Sequence, residues 1–149
     1  MEISQKGIDL IKHFEGFRAK PYLCPAGVWT IGYGTTRGVT AATPPVTEAE
    51  AEALLRKDVA GFEKQLSQFL PTTLAQNQYD AIVSFVYNLG VAAFKTSTLF
   101  RTIATFPNDN ARIRAEFGRW VHAGGKKLDG LVKRRAAEAD LYCTGDYNV

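Results

Sequence analysis

The hydrophobic pattern changes from helical to strand-like shortly after Glu15, and this change constrains the fold most. The apolar side chains before it share one helical face; they are Ile3, Leu10, Ile11 and Phe14. Gly16 is placed to end that helix. Residues 28–31 (Val-Trp-Thr-Ile) have the composition of a short strand, and turn-forming residues precede them: Pro21, Pro25 and Gly27. The sequence therefore predicts a helix followed by a small β-hairpin.

A long helix follows the hairpin. Residues 47–50 (Thr-Glu-Ala-Glu) form a capping-box pattern, which predicts a helix running to about Phe69 and closed by Pro71. Gly32 and Gly34 flank Tyr33, so we expect a sharp bend or a close approach to the backbone there.

After Pro71 the pattern predicts only helices. Residues 74–89 are strongly apolar and predict a buried central helix, and Ser97 is placed to cap the next one. A further helix is expected from about Asn108, with Trp120 and Val121 on its buried side and a break at residues 124–125. The last helix should span roughly 128–142.

These elements define a fold class that is α+β and mostly α. We expect one domain over residues 1–149, with a small N-terminal lobe at about 13–60 that contains the hairpin. A long connecting helix should lead to a larger helical lobe at about 70–149, which also takes the first helix. A cleft between two lobes is a common place for an active site.

Composition narrows the function further. The two cysteines and two histidines have no metal-ligand spacing, so we expect no metal or other cofactor. No signal peptide and no membrane-spanning run is present, so we expect no stable membrane insertion. The stretch 112–135 carries a net charge of +6, against +3 for the whole chain. This stretch is either a solvated helix surface or a surface that attracts a polyanion. Its aromatic residues do not alternate with the charges as they do in proteins that bind single-stranded nucleic acid.

Glu15, Cys24 and Thr30 form the candidate catalytic set. They are separated by eight and then five intervening residues around the helix end and the hairpin. The negative end of the helix dipole disfavours the ionised form of Glu15, which suits a general acid. A partner eight or nine residues further on can reach the separation at which inverting glycosidases hold water. Taken alone, Glu15 is also compatible with a surface acid, Cys24 with a buried thiol and Thr30 with an ordinary strand residue.

The motifs resemble those of the phage-type lysozymes, glycoside hydrolase family 24. The likeness covers the Glu15–Cys24–Thr30 spacing and residues 30–35 (Thr-Ile-Gly-Tyr-Gly-Thr), and it continues at residues 84–90 (Ser-Phe-Val-Tyr-Asn-Leu-Gly). It appears again at residues 125–131, followed by Arg134, Arg135 and Glu138. It extends over essentially the whole chain and implies the two-lobed lysozyme-like fold.

The resemblance implies a muramidase that cleaves the β-1,4 bond between N-acetylmuramic acid and N-acetylglucosamine in peptidoglycan. It makes Glu15 the general acid and assigns to Cys24 and Thr30 the placement of the attacking water. The commoner residue at the position of Cys24 is Asp. Because a free thiol is mostly neutral at pH 7 and Glu15 would raise its pKa further, we expect Cys24 to act mainly in a neutral or partly ionised form unless a cation lies close. A covalent role with retained configuration stays open, as does regulation by oxidation.

Three further residues are candidate sugar contacts by position: Gly34, Asn88 and Ser97. Alternatively, Asn88 and Ser97 have structural roles only, Asn88 as a polar residue at a helix C-terminus and Ser97 as a helix N-cap. Arg134 or Arg135 either pairs with Glu15 or is solvated on a helix surface. Whether Cys143 pairs with Cys24 stays open.

We expect a monomeric endolysin that acts on bacterial peptidoglycan and does not bind nucleic acid. It would be made in the host cytoplasm and reach the wall after membrane permeabilisation. The alternatives are a wall-binding module with impaired catalysis and a lytic transglycosylase, which needs a single acid.

Overall fold

The computed structural model describes residues 1–149 and contains seven helices and four short strands. In chain order they are α1 Gln5–Glu15, β1 Arg18–Leu23, β2 Trp29–Gly32, α2 Glu48–Leu66, α3 Gln76–Leu89, α4 Val91–Lys95, α5 Thr98–Thr105, α6 Asn110–Phe117, β3 His122–Ala123, β4 Lys126–Lys127 and α7 Asp129–Thr144. This mostly helical architecture with a small antiparallel hairpin confirms the predicted fold class. None of the helices combines the length and the apolar character that crossing a membrane requires.

The chain divides into two compact units. One contains residues 11–61, and the other contains residues 1–10 together with residues 62–149. We call them the hairpin unit and the helical unit. The assignment of residues 1–149 to one catalytic domain stays a prediction.

The hairpin unit begins at the end of α1. The Gly16 N–H donates to the Lys12 carbonyl at 2.9 Å, and Gly16 has a φ of 72°, so the helix ends where the sequence predicts. Strands β1 and β2 then pair antiparallel. Buried apolar side chains from the helices and the hairpin form the core of this unit: Ile11, Ile31, Tyr33, Ala51, Leu55 and Val59.

Strand β1 corrects the sequence prediction, which placed a turn at Pro21. Pro21 lies inside β1, between the Arg18–Gly32 pair and the Tyr22–Thr30 pair, where the register is irregular. Because the ladder is interrupted there, the missing N–H of proline costs no regular strand hydrogen bond. Strand β2 begins at Trp29 rather than at Val28.

The two glycines beside Tyr33 act as predicted. Gly32 has a φ of 66° and Gly34 a φ of 91°, values that L-residues with a side chain rarely adopt. A Cβ on Gly32 would lie 3.0 Å from the Cβ of Ala51. The chain therefore bends sharply after β2 and packs closely on α2.

The capping box of α2 is confirmed. The Glu50 N–H donates to the Thr47 hydroxyl at 3.1 Å, and the Thr47 N–H donates to the Glu50 carboxylate at 3.0 Å. Helix α2 ends at Leu66, three residues earlier than expected, and a turn leads to Leu70.

The helical unit is built around α3. Every residue from 79 to 86 is buried, which confirms the predicted central helix. The ring of Phe85 packs edge-to-face against those of Phe94, Phe117 and Trp120 at centroid distances of 5.5–5.9 Å. The predicted cap at Ser97 is also confirmed, because its hydroxyl accepts from the Phe100 N–H at 3.0 Å.

A second hairpin corrects the prediction that only helices follow Pro71. Helix α6 is capped by Asp109 and ends at Phe117, so Trp120 and Val121 lie beyond it. Strands β3 and β4 pair antiparallel across Gly124 and Gly125, which both have positive φ. A two-residue loop of this kind favours a tight hairpin rather than a simple helix break. The short helix α4 was not predicted either.

Candidate active site

Glu15 is the last residue of α1 and is half-buried. The left-handed Gly16 immediately after it turns the chain away from the helix axis and into β1 at Arg18. The backbone of Glu15 therefore lies at the corner between α1 and β1. Helical geometry on one side and the strand pairing on the other restrict its position.

Cys24 lies in the tight turn that joins β1 to β2. Its N–H donates to the Val28 carbonyl at 3.1 Å, and its carbonyl accepts from the Gly27 N–H at 2.8 Å. Gly27 has a φ of 77°, which lets the chain reverse within four residues. The thiol is free and half-buried.

The turn changes the chemistry of this thiol. Hydrogen bonds from the backbone N–H groups of Val28 and Ala26 lower the pKa of Cys24, and the Thr30 side chain lowers it further against a smaller opposing effect of desolvation. The expectation of a pKa raised by Glu15 was wrong in direction. The sequence predicted the turn at Pro25 and Gly27, but no sequence signal showed that its N–H groups point at the sulfur.

Thr30 is buried in β2, directly opposite Tyr22. Its hydroxyl donates to the Val28 carbonyl at 3.0 Å, and the same side chain interacts with Cys24. The hydroxyl has a single proton, so its two acceptor positions remain for a water or for another donor. Thr30 and Cys24 thus share one small polar environment.

Several polar contacts that the sequence did not reveal stabilise the hairpin unit. Lys12 forms an ion pair with Glu52 and lies 5.3 Å from the centre of the Tyr33 ring. Asp58 accepts from the Thr35 hydroxyl at 3.0 Å and pairs with Arg37 at 2.8 Å. These partners are far apart in sequence, so spacing alone could not have identified them.

The candidate sugar contacts fall in different parts of the chain. Gly34 belongs to the hairpin unit, together with Glu15, Cys24 and Thr30, whereas Asn88 and Ser97 belong to the helical unit. Asn88 is exposed at the end of α3, and its side-chain oxygen accepts from Arg135 at 3.0 Å. Ser97 is buried; besides capping α5, its hydroxyl donates to the Phe94 carbonyl at 2.6 Å.

Arg134 and Arg135 are not solvated, which corrects one of the two sequence interpretations. Their side chains are 5% and 1% exposed, and both pair with the fully buried Glu138, at 3.3 Å and 2.8 Å. The Ser84 hydroxyl also donates to Glu138, and Arg134 donates to the Ser84 carbonyl at 3.1 Å. Burial is tolerated because each charge has a partner. Pairing of either arginine with Glu15 stays a prediction.

The hairpin unit therefore combines a carboxylic acid at a helix end with a thiol of lowered pKa and a hydroxyl on an adjacent hairpin. Such a set can protonate a leaving group, stabilise a developing positive charge and orient a water. These are the steps of glycoside hydrolysis.

Comparison with known proteins identifies the family of this chain. A phage lysozyme family profile matches residues 12–138. An endolysin of Acyrthosiphon pisum secondary endosymbiont phage 1 is 45% identical over 146 residues, which cover 95% of this chain and 98% of the relative. The endolysin of Bacillus phage PZA is 42% identical over 97% of this chain, but the chain spans only 56% of that longer protein.

A solved structure has the same fold. The endolysin from Escherichia coli O157:H7 phage FAHEc1 superposes with a TM-score of 0.87 at 33% sequence identity, covering 100% of this chain and 98% of the other. The chain belongs to the phage lysozyme family. It is a muramidase, a hydrolase of the endolysin class that lyses peptidoglycan.

Proposed function

We propose that the hairpin unit performs the chemistry of this muramidase on the β-1,4 bond between N-acetylmuramic acid and N-acetylglucosamine. Glu15 is the general acid, and Cys24 and Thr30 together position the attacking water. The observation that carries the assignment is the turn at residues 24–28, whose N–H groups stabilise the Cys24 thiolate. An anionic group in this position performs the role that a carboxylate performs in other glycosidases.

Glu15 donates its proton to the glycosidic oxygen as the bond to the sugar carbon breaks. The corner between α1 and β1 supports this role, because a donor must approach the leaving oxygen along a restricted direction. Positive charge develops on the sugar ring in the transition state. A thiolate at Cys24 stabilises that charge from the hairpin.

Thr30 positions the water that completes the reaction. Because its hydroxyl proton is directed to the Val28 carbonyl, its oxygen can accept a hydrogen bond from water. The same hydroxyl can turn its proton to the sulfur, which stabilises the thiolate. The water then attacks the sugar carbon with inversion of configuration and gives its proton to the Cys24 thiolate.

A covalent route is the second candidate. The thiolate that stabilises charge is also a nucleophile, so Cys24 could bond to the sugar carbon before water releases the product. The two routes give opposite anomers at the newly formed reducing end. NMR of the product within the first minutes of cleavage distinguishes them: the β linkage yields an α product by inversion and a β product by the covalent route.

The sugar contacts are proposed with different support. Asn88 can offer its amide N–H to a sugar carbonyl, since its oxygen is held by Arg135. Gly34 can offer backbone groups, because it has no side chain to block a close approach. Ser97 is the weakest candidate, because its hydroxyl is buried and bonded on two sides.

Mass spectrometry of the muropeptides released from purified peptidoglycan tests the proposal. Wild type should release products with a free reducing N-acetylmuramic acid, and Glu15→Gln should release none. Glu48→Gln is the matched control, because Glu48 is an exposed residue at the start of α2. Anhydro products would indicate a lytic transglycosylase. Binding to the wall without products from the reduced protein would indicate an impaired binding module. Either result would overturn the mechanism.

We further propose that the protein acts as a monomer on the wall and needs no nucleic acid. It would be made in the host cytoplasm and would reach the wall after the membrane is permeabilised. Sedimentation of the purified protein should give the mass of one chain, 16.4 kDa. Added to intact cells, it should lyse them only when the barrier outside the peptidoglycan is opened.

A further inference from the structure

One exposed apolar side chain belongs to the turn at residues 24–28 itself. Val28 is 44% exposed. Its carbonyl accepts from the Cys24 N–H at 3.1 Å and from the Thr30 hydroxyl at 3.0 Å, and its own N–H donates to the Cys24 sulfur. The proposed chemistry uses these backbone groups of Val28 and gives its side chain no part.

The hairpin register decides which face of the hairpin carries this side chain. Leu23 pairs with Trp29, so the next pair of residues in the antiparallel register is Cys24 with Val28. Residues directly opposite each other project to the same face, and successive residues alternate between the two faces. Val28 therefore shares a face with Cys24 and Thr30, whereas Leu23 and Trp29 project to the other face.

The position of the Val28 methyl groups is restricted. Three hydrogen bonds to Cys24 and Thr30 fix its backbone, and a β-branched side chain has few χ1 rotamers. A single exposed valine on a protein surface needs no explanation by itself. This valine, however, holds two methyl groups on the face that carries the thiol and the hydroxyl. A sugar bound against Cys24 and Thr30 meets an apolar contact there.

The sugar that water attacks has one apolar group close to its reacting carbon. In N-acetylmuramic acid the reacting carbon is C1, and the acetamido group is attached to the adjacent carbon, C2. The lactyl methyl group belongs to the substituent on C3, which is further from C1. The acetyl methyl group is therefore the apolar group that comes nearest to the side chains that position the water.

We propose that Val28 is a specificity-determining residue, whose methyl groups contact the acetyl methyl group of the sugar that is attacked. The inference rests on the proposed function, because Cys24 and Thr30 must place water at C1 of that sugar. Val28 thereby favours N-acetylated sugars over sugars that lack this methyl group. Because the valine is only half-buried, the preference should be about tenfold, the lower end of what one apolar group contributes to specificity.

Peptidoglycan in which formyl groups replace the N-acetyl groups tests the inference, since the two substrates differ only in the methyl group. Wild type should have a kcat/KM about tenfold higher on the acetylated substrate. Val28→Thr keeps the branched shape and replaces one methyl with a hydroxyl, so it should reduce this preference about threefold or more. A merely structural effect would lower kcat/KM on both substrates equally. An unchanged preference in Val28→Thr would overturn the inference.

Leu23→Thr is the matched control. Leu23 is also exposed and adjoins the same turn, but it projects to the opposite face of the hairpin. This variant makes the same change from an apolar to a polar side chain and should keep the wild-type preference for the acetylated substrate. An equal loss of preference in Leu23→Thr and Val28→Thr would contradict the assignment to Val28.

NMR of bound glycan separates this inference from the proposed function. A soluble, peptide-free tetramer of alternating N-acetylglucosamine and N-acetylmuramic acid is bound to Glu15→Gln. Cross-relaxation should connect an acetyl methyl group of the tetramer to the methyl groups of Val28 and not to those of Leu23. Bound tetramer without that contact would overturn the inference. Cleavage of the tetramer by Glu15→Gln would instead contradict the proposed function, and the preference of wild type over Val28→Thr would still report on Val28.

Discussion

The two cysteines show how differently the two units treat the same functional group. Cys24 stands in an open hairpin turn, where N–H groups of Val28 and Ala26 lower the pKa of its thiol. Cys143 stands near the end of α7, where burial raises the pKa of its thiol although Arg114 acts in the opposite direction. Backbone dipoles aimed at the sulfur favour the thiolate, and removal from water favours the thiol.

The same contrast extends beyond the cysteines. The hairpin unit leaves the ionisable groups of Glu15 and Cys24 only half-buried, so their charge can change during a reaction. Helix α7 instead carries Arg134, Arg135 and Glu138 inside the helical unit, where the ion pairs fix each charge. Activity should therefore depend on the first region, and the free energy of unfolding on the second.

The largest expected effect comes from the buried ion pairs. Glu138→Gln leaves two buried guanidinium groups without their anion and should lower the free energy of unfolding by about 3–5 kcal/mol. Urea denaturation measures this loss. Asp140→Asn is the matched control on the same helix. Its pair with Arg114 is exposed, so the loss should stay within about 1 kcal/mol. Similar losses for both variants would remove the contrast between buried and exposed pairs.

Removing each thiol in turn tests the contrast in activity. Cys24→Ala should lower kcat/KM on peptidoglycan by about 100- to 1000-fold, the usual cost of losing one electrostatic group in an active site. Cys143→Ala should leave kcat/KM nearly unchanged. Clearing of a peptidoglycan suspension gives both values. If the Cys24→Ala enzyme kept wild-type activity, the thiol would have no part in the mechanism.

Reactivity of the two thiols should differ by a smaller factor. The thiolate is the nucleophile, and each unit of pKa changes its fraction about tenfold near neutral pH. Iodoacetamide at about pH 7 should therefore alkylate Cys24 faster than Cys143, as followed by peptide mass spectrometry. Faster labelling of Cys143 would show that the turn does not activate Cys24.

The smallest effect concerns an ion pair of the hairpin unit. Hydrogen bonds from Lys12 and Arg56 lower the pKa of Glu52. Because the folded-state pKa is the lower one, the stabilisation is present above the unfolded value, about 4.3, and is lost as pH falls through the folded value. Glu52→Gln should cost up to about 1 kcal/mol at neutral pH, since both partners are about a quarter exposed. In urea denaturation the difference from wild type should vanish in acid; a difference that persisted there would have another cause.

Local signals in the sequence were sufficient for much of the fold. The capping box at Thr47, the stop at Gly16 and the cap at Ser97 each depend on residues within a few positions, and the structure confirms all three. The three catalytic candidates were also identified from their spacing, and their roles stay a prediction.

The remaining features depend on distant partners or on backbone direction. Burial of Arg134 and Arg135 needs Ser84 and Glu138 together, and Ser84 lies 50 residues before Arg134 in the chain. Pro21 is tolerated in β1 only because the register with β2 is irregular. The lowered pKa of Cys24 comes from N–H groups whose direction a turn signal does not specify. Each of these needs three-dimensional information.

The pH dependence of kcat/KM in wild type and in Cys24→Asp tests the central claim most directly, namely that the hairpin turn makes Cys24 an anionic catalytic group. The ratio of wild-type to Cys24→Asp kcat/KM should rise with pH as the thiolate forms, with a midpoint below the ordinary thiol value of about 8.5. The ratio isolates residue 24, because every other ionisation is common to the two enzymes and the introduced carboxylate is already ionised over that range. Superimposable profiles for the two enzymes would contradict the account.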